Sequence, residues 1–281
     1  MDKERVIKMK IGYTLWTWLL DEFNSFEPFS PYGKRDFEQS LREISDLGYE
    51  VIENFNVLVD LFEDSPEEFQ SLTSKYGLKF VAIYHYLTDD FDADMKFAER
   101  CCNFLKTHDA TIMNIEAPRL SGDVASDMEL KDIVEKLTTM GKLVKKNGIN
   151  FCLHPHSERT VYLEREIDYV LSNVDADILS LCMDTAHTQL AGMNPVVAFK
   201  KYLDRTKLIH LKDLNPQFPK EDPMRGFVAL GEGIIDFRGI LDVIKQSGYD
   251  GSLIVELDWQ RVCNYESAMV SRNYIHRVLG M

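Results

Sequence analysis

The stretch Leu179–His187, LSLCMDTAH, decides the fold, because an apolar run ends abruptly at Asp184 and a polar segment follows. The same arrangement recurs along the chain, where short runs rich in Val, Ile, Leu and Phe alternate with longer amphipathic segments. Apolar runs with few charges are typical of strands that are buried on both faces of a parallel sheet. The alternation therefore predicts an α/β protein in which helices connect parallel strands.

Eight strand–helix units are predicted from this alternation. The strands are Lys10–Trp16, Glu50–Phe55, Lys79–His85, Thr111–Ala117, Asn150–His156, Leu179–Asp184, Lys207–Lys212 and Ser252–Leu257. The helices are Asp36–Leu47, Pro66–Tyr76, Asp92–Lys106, Met128–Lys146, Glu164–Ser172, Pro195–Leu203, Phe237–Ser247 and Tyr265–Val278. Units at this spacing favour a closed (β/α)₈ TIM barrel, formed by residues 1–281 as a single domain.

Two further features bear on this fold prediction. No GxGxxG motif follows the first predicted strand, which argues against a dinucleotide-binding fold. The segment Asn215–Glu232 contains three prolines and mixed charges, so it is predicted to be a long loop after the seventh strand. Long loops at that face of a barrel commonly act as lids.

Composition and charge narrow the range of partners. The chain has 45% hydrophobic and 28% charged residues, and its net charge of −14 argues against nucleic acid as a partner. The N-terminal sequence lacks the apolar run of a signal peptide, and no segment approaches the ~20 apolar residues of a membrane span. The five cysteines form no CxxC pair. We therefore expect a cytoplasmic protein with reduced thiols and no membrane partner.

Histidines are concentrated where the predicted strands end. Five of the seven lie at or just past a strand end, namely His85, His154, His156, His187 and His210. The active sites of TIM barrels lie at the carboxyl ends of the strands. This concentration therefore predicts an active site that contains several imidazoles.

Four consecutive predicted strands each contribute one residue to a candidate metal site: His154, Asp184, His210 and Glu256. A glutamate in the apolar run LIVELDW would be costly to bury without a cationic partner. Two imidazoles and two carboxylates suit Mn²⁺, Zn²⁺, Fe²⁺ or Co²⁺ better than Ca²⁺, so one divalent metal ion is the predicted cofactor. Because side chains on a strand alternate in direction, His154 and His156 share a face, and either could be the ligand.

Two more carboxylates lie at predicted strand ends. Glu116 shares a face of the fourth strand with Asn114, and it is either a catalytic group or the partner of Lys212 in an ion pair. Glu53 lies on the second strand and is a candidate substrate-binding residue.

Aromatic and basic residues complete the candidate site. Trp16, Trp18 and Tyr84 lie at or just past strand ends, where they either form a sugar-stacking wall or pack in the core. Lys212 and Arg225 either meet an anionic group of the substrate or form surface ion pairs.

These residues lie in motifs that resemble the xylose-isomerase-like barrel superfamily over essentially the whole chain. CMDTAH resembles the DTxH motif, which implies a ligand role for Asp184 and a substrate or proton-transfer role for His187. HLKD resembles the element that carries the ligand His210, and IVEL carries the final ligand, Glu256. ALGEGIIDF resembles the GxGxxDF segment of the family. The superfamily includes sugar isomerases and epimerases, inosose and 3-dehydroshikimate dehydratases, and apurinic endonucleases.

The fifth strand departs from the usual family pattern. Most members have a glutamate ligand at its end, whereas this chain has His154–Pro155–His156. The inosose dehydratase branch, which has several histidines here, is the nearest resemblance. In the dehydratases the second histidine acts as a base, which implies that role for His156.

The resemblance implies metal-assisted removal of a proton next to a carbonyl of a keto-sugar or keto-inositol. His156, or a carboxylate such as Glu116, would take the proton, and His187 would donate on the other side. Loss of a β-hydroxyl gives dehydration, which the two histidines of the fifth strand favour. Return of the proton at a new position gives isomerisation or epimerisation, as in a ketose 3-epimerase.

Two other classes of function are weaker alternatives. An apurinic-endonuclease-type hydrolase needs a multi-metal site and a basic surface, which the net charge of −14 does not favour. A sugar-binding barrel without turnover is the non-enzymatic alternative. The expected partner is a small-molecule carbohydrate, and the sequence leaves open whether the protein is a homo-oligomer.

Overall fold

The computed structural model describes residues 9–20, 30–120, 122–217, 223–259 and 262–281. Eight parallel strands close into a barrel in the order β1-β10-β7-β6-β5-β4-β3-β2. These barrel strands are β1 (Ile11–Thr14), β2 (Val51–Phe55), β3 (Lys79–Tyr86), β4 (Ile112–Glu116), β5 (Asn150–Leu153), β6 (Ser180–Asp184), β7 (Thr206–Leu211) and β10 (Leu253–Val255). The predicted (β/α)₈ barrel is thereby confirmed.

Helices surround the barrel and cover the outer faces of its strands. They are α1 (Gly33–Asp46), α2 (Val57–Phe62), α3 (Pro66–Lys75), α4 (Phe91–Thr107), α5 (Asp127–Lys146), α6 (Glu164–Asn173), α7 (Thr185–Leu190), α8 (Pro195–Tyr202), α9 (Phe237–Ser247) and α10 (Asn264–Tyr274). Their apolar residues recur at helical spacing, as α1 illustrates with Phe37, Leu41 and Ile44, all fully buried. None of the helices in the described ranges is both long and apolar enough for a membrane span.

A separate layer of small and branched side chains packs within the barrel. It comprises Val51, Ala82, Cys152, Cys182, Leu208 and Ile254. All six are fully buried, so the barrel interior is a packed core rather than a pore. This layer closes the barrel beneath the strand ends that carry the polar residues.

Three strands end two or three residues before their predicted ends, with direct consequences for the site. β5 ends at Leu153 because Pro155 has no N–H with which to extend the strand ladder. Residues 154–156 therefore follow the strand instead of continuing it. β1 ends at Thr14, and Trp16 begins a short 3₁₀ helix, Trp16–Leu19. Glu256 follows the last residue of β10.

Two short helices were not predicted, since six residues give too little periodicity to recognise. Asn56 alone separates α2 from β2, and α7 follows Asp184 without a loop. Asp184 caps α7, because its Oδ1 accepts a hydrogen bond of 2.7 Å from the backbone N–H of His187. His187 is consequently on the first turn of a helix.

The predicted lid segment includes residues 218–222, which lie outside the described residues. On either side of them, β8 (Asp213–Leu214) and β9 (Phe227–Val228) form an antiparallel pair. The Asp213 carboxylate accepts hydrogen bonds from the backbone N–H groups of Leu214, Gly231, Gly233 and Ile235. Asp213 thus links the HLKD motif to the ALGEGIIDF segment and holds the two ends of the connection between β7 and α9 together.

Gly12 of β1 offers a test of the barrel packing. A Cβ atom on Gly12 would lie 2.5 Å from Val51 Cγ2 and 2.6 Å from the Val51 carbonyl oxygen. We predict that Gly12→Ala lowers the free energy of unfolding by about 1–3 kcal/mol, measured by urea denaturation. Gly122→Ala is the control, because nothing lies within 4 Å of its added Cβ. Equal stability of the two variants would contradict this packing.

Candidate active site and metal centre

The four predicted metal ligands meet at the carboxyl ends of β5, β6, β7 and β10. His154, Asp184, His210 and Glu256 each have one potential ligand atom within 4.8 Å of those of the other three. All four residues are buried. The closure of the barrel brings them together, because neighbouring parallel strands end at the same face.

Unsatisfied polar atoms in this group fit a bound cation. His154 is fully buried, and neither of its ring nitrogens has a hydrogen-bond partner within the described ranges. Asp184 Oδ2 also lacks a hydrogen bond there. Burying such atoms without partners is costly, and a metal ion would satisfy them. Burial, followed by repulsion from His210, holds the pKa of His154 well below its ordinary value, so the imidazole is in the neutral form that binds metals.

His210 is held between two carboxylates. Its Nδ1 lies 2.8 Å from Glu256 Oε2, and its Nε2 lies 2.6 Å from Glu53 Oε2. Burial alone would lower its pKa, but the neighbouring Cys182 and the carboxylates of Glu53 and Glu256 raise it well above the ordinary value. A divalent ion bound by His210 would therefore have to replace a proton, and the hydrogen bond to Glu53 would orient the ring.

Glu53 lies behind His210 and not in the wall of the cavity, where a substrate-binding residue was expected. It is fully buried, and Asn114 donates a hydrogen bond to its other carboxylate oxygen. The reason is that Glu53 lies two residues after Val51 on β2 and therefore points, like Val51, into the barrel. In this position Glu53 orients a candidate metal ligand.

Lys212 is a fully buried cation among three carboxylates. Its Nζ lies 2.9 Å from Asp258 Oδ2, 3.0 Å from Glu256 Oε2 and 3.8 Å from Asp184 Oδ2. Burial alone would lower the pKa of Lys212, but these carboxylates raise it above its ordinary value, so the ammonium group is charged. The alternative ion pair with Glu116 is not formed.

The carboxylates of this cluster differ in their affinity for protons. Burial raises the pKa of Asp184 to about 6, although Lys212 opposes the shift. Burial would also raise the pKa of Glu256, but Lys212 and His210 outweigh it and hold that pKa well below its ordinary value. Glu256 is therefore ionised at neutral pH.

His156 has the features of a general base. It is partly buried and lines the cavity, and its Nδ1 lies 2.7 Å from the carbonyl oxygen of Ser157. A carbonyl oxygen can only accept a hydrogen bond, so Nδ1 carries the proton and Nε2 has the free lone pair. The tautomer of His156 is thus fixed in the form that can take a proton through Nε2.

His187 packs against His156, with 3.9 Å between the ring centroids. It is buried, and burial, reinforced by His156 and Lys212, holds its pKa well below the ordinary value. The Lys212 ammonium group lies 3.3 Å from His187 Nε2. His187 is therefore neutral and lies between the base candidate and the buried cation.

A cavity of about 650 Å³ opens above these residues. One wall is aromatic, since Phe55 stacks on Tyr84 at 4.5 Å and contacts Trp16 at 5.2 Å. Tyr84 donates a 2.7 Å hydrogen bond to Glu116, which also forms an ion pair with Arg159. These five residues all line the cavity.

Two candidates lie elsewhere. Arg225 is exposed in the 3₁₀ helix Pro223–Gly226 and is not among the described lining residues, so its predicted contact with substrate has no support from this position. Trp18 packs in the core and donates a hydrogen bond to Glu43. Packing in the core was one of the two roles predicted for Trp18.

Sequence reasoning missed Arg159 and Phe55 and gave no role to Asp258. Arg159 lies in the irregular segment after β5, where no periodicity indicates the direction of a side chain. Asp258 could have been predicted from the sequence, because it lies two residues after Glu256 and side chains two apart on a strand share a face.

His154 gives the sharpest test of the metal centre. We predict that His154→Ala lowers the affinity for Zn²⁺ by at least about tenfold, measured by equilibrium dialysis and elemental analysis. Cys152→Ala is the matched control, because Cys152 lies two residues earlier, on β5, in the layer below. Unchanged zinc affinity in His154→Ala would contradict the centre.

Several known proteins are similar to this chain. An inosose dehydratase of Clostridium tetani is 30% identical over 165 residues, which cover 54% of this chain and 55% of that protein. An inosose dehydratase of Klebsiella pneumoniae is 32% identical over 192 residues, covering 61% and 63% respectively. The chain thus spans less than two thirds of the length of these relatives.

Solved structures share the fold. A crystal structure of the IOLI protein with a zinc atom has a TM-score of 0.77 at 18% identity and covers 97% of this chain and 98% of that one. D-psicose 3-epimerase of Clostridium cellulolyticum has a TM-score of 0.74 at 14% identity, with coverage of 95% and 97%. The family model described as xylose isomerase-like TIM barrel matches residues 41–272. Because this match covers most of the chain, the protein belongs to the xylose isomerase-like TIM barrel family.

Proposed function

We propose that this protein is a metal-dependent carbohydrate enzyme that removes a proton next to the carbonyl of a keto-sugar or keto-inositol. The observation that carries the proposal is the fixed tautomer of His156, whose Nε2 lone pair is available at a cavity beside the four-residue metal centre. A base next to a cation-binding group is the arrangement that proton abstraction alpha to a carbonyl requires.

His154, Asp184, His210 and Glu256 are the residues that would hold the divalent ion. When bound, such an ion supplies Lewis-acid polarisation of a substrate carbonyl. The donor set fits Mn²⁺, Zn²⁺, Fe²⁺ or Co²⁺. Glu53 would keep the His210 ring in place through its hydrogen bond to Nε2.

His156 is a better candidate for the base than Glu116. Both carboxylate oxygens of Glu116 are engaged, one by Tyr84 and the other by Arg159. The Nε2 lone pair of His156 has no such competitor in its assigned tautomer. Glu116, Tyr84 and Arg159 instead form a polar edge of the cavity that can orient substrate hydroxyl groups.

The destination of the abstracted proton determines whether the reaction is a dehydration or an isomerisation. Donation by protonated His156 to a departing β-hydroxyl would give dehydration. The proton taken up by His156 could instead be relayed through the adjoining ring of His187 and returned to carbon, which would give isomerisation or epimerisation. The inosose dehydratase relatives, at 30–32% identity, favour the first reaction, so we propose a lyase that acts on an inosose-type substrate.

The charges of the cavity favour a substrate without a phosphate group. Its described lining includes five carboxylates, from Asp89, Glu116, Glu158, Glu256 and Asp258. The two guanidinium groups of that lining belong to Arg119 and Arg159, which form ion pairs with Glu158 and Glu116. Both guanidinium groups are thus already paired with carboxylates, so neither is free to bind a phosphate dianion. Neutral polyols can instead bond to the carboxylates and stack on the aromatic wall.

The reaction can be identified by incubating the metal-loaded protein with inososes, ketohexoses and dehydroshikimate in deuterated water. We expect an inosose product that is lighter by one water molecule. A product of unchanged composition that has gained deuterium would indicate an epimerase or isomerase. A protein that binds metal and sugar but gives neither product would be a sugar-binding barrel, which would contradict the proposal.

The base assignment predicts the effect of His156→Ala on turnover. We expect kcat on the identified substrate to fall by about 10²–10⁴-fold, because the proton acceptor is removed. His276→Ala is the control, since His276 lies in the π-helical turn Ile275–Leu279, remote in sequence from the strand ends. Steady-state kinetics at matched metal content measures kcat of the two variants. Near-normal turnover of His156→Ala would refute the assignment of His156 as the base.

The charge of the lining predicts substrate selectivity. We expect kcat/KM for the neutral keto-inositol or ketose to exceed that for its phosphorylated counterpart by at least about tenfold, because neither guanidinium group of the described lining is free to bind a phosphate. Competition assays with the two compounds measure this ratio. A preference for the phosphorylated compound would show that the carboxylates do not control binding.

A further inference from the structure

A second group of potential metal ligands adjoins the first. His156, His187 and Asp258 each place one ligand atom within 4.8 Å of the other two. The group opens to the cavity, because His156 and Asp258 line it. Two imidazoles and a carboxylate, with one position left for solvent, form a set that binds Zn²⁺ in proteins.

The ammonium group of Lys212 lies at this second group. Its Nζ is 3.3 Å from His187 Nε2 and 2.9 Å from Asp258 Oδ2. It also lies 3.0 Å from Glu256 Oε2, which belongs to the first group. Paired metal ions in enzymes are about 3.5–4 Å apart and share neighbouring ligands in the same manner. Lys212 therefore lies where a second cation would be bound.

The buried charges lead to the same conclusion. Four buried carboxylates surround the two groups, from Glu53, Asp184, Glu256 and Asp258. Lys212 and one divalent ion together supply three positive charges against these four negative ones. A second divalent ion added beside Lys212 would give an excess of positive charge, whereas two divalent ions without Lys212 would balance the carboxylates. Buried charges without compensation are costly, so Lys212 and a second ion exclude each other.

We propose that the ammonium group of Lys212 takes the place of a second metal ion at the group formed by His156, His187 and Asp258. The protein consequently binds one divalent ion instead of two. This proposal rests on the proposed metal centre. Its consequence for function is that the Nε2 lone pair of His156 stays available for a proton, because no metal captures it. Lys212 is accordingly a positioning residue, which acts through the groups around it.

The test is the zinc content at saturation of the wild-type protein and of Lys212→Met, measured by equilibrium dialysis against Zn²⁺ and elemental analysis. We expect one zinc ion per chain in the wild type and two in the variant. The double variant Lys212→Met/Asp258→Asn should return to one, because the second site loses its carboxylate. Lys207→Met is the matched control, since Lys207 is an exposed lysine on β7, the strand that leads to Lys212, and this variant should bind one zinc ion.

The outcomes separate this proposal from the metal centre on which it rests. A wild-type protein that binds no zinc would overturn the metal centre, and this proposal with it. One zinc in the wild type and one in both Lys212→Met and Lys212→Gln would overturn only the role of Lys212.

Circular dichroism would verify that the variants fold. If neither folds, zinc-soaked wild-type crystals decide, because an ion bound by His156, His187 and Asp258 would overturn the proposal, whereas a single ion at the first group would support it.

Discussion

The compensation of buried negative charge is the constraint on which this barrel depends. Glu53, Asp184, Glu256 and Asp258 are almost completely removed from water at the carboxyl ends of the strands. Such a cluster would destabilise the fold unless cations lay within it, because unpaired buried charges are costly. Lys212 supplies one cation permanently, and protonated His210 supplies another while no metal is bound. The remaining negative charge would favour a divalent ion at the proposed centre.

The chemistry follows from the same electrostatics. His154 and His187 are neutral because burial and neighbouring positive charge disfavour their protonated forms, whereas His210, between two carboxylates, holds a proton. His156 differs from all three, since it faces the cavity and the carbonyl oxygen of Ser157 fixes its tautomer. Four histidines in one small volume can thereby take different parts in metal binding and proton transfer, each set by its neighbours.

The sequence predicted the barrel and the four candidate metal ligands, because both depend on where apolar runs end. Strand periodicity cannot predict the direction of residues beyond a strand, however. Pro155 ends β5 early, and Arg159 then reaches Glu116 from an irregular segment. Nor could the sequence place Glu53 behind His210 or pair Lys212 with Asp258 instead of Glu116, since these contacts depend on the closure of the barrel.

X-ray absorption spectroscopy of the metal-loaded protein is the direct test of the metal centre, because it reports the atoms bound to the ion. We predict scattering from two imidazoles together with carboxylate oxygens, and the loss of one imidazole in His154→Ala but not in Cys152→Ala. A spectrum with only oxygen ligands, or one unchanged by His154→Ala, would contradict a centre formed by His154, Asp184, His210 and Glu256.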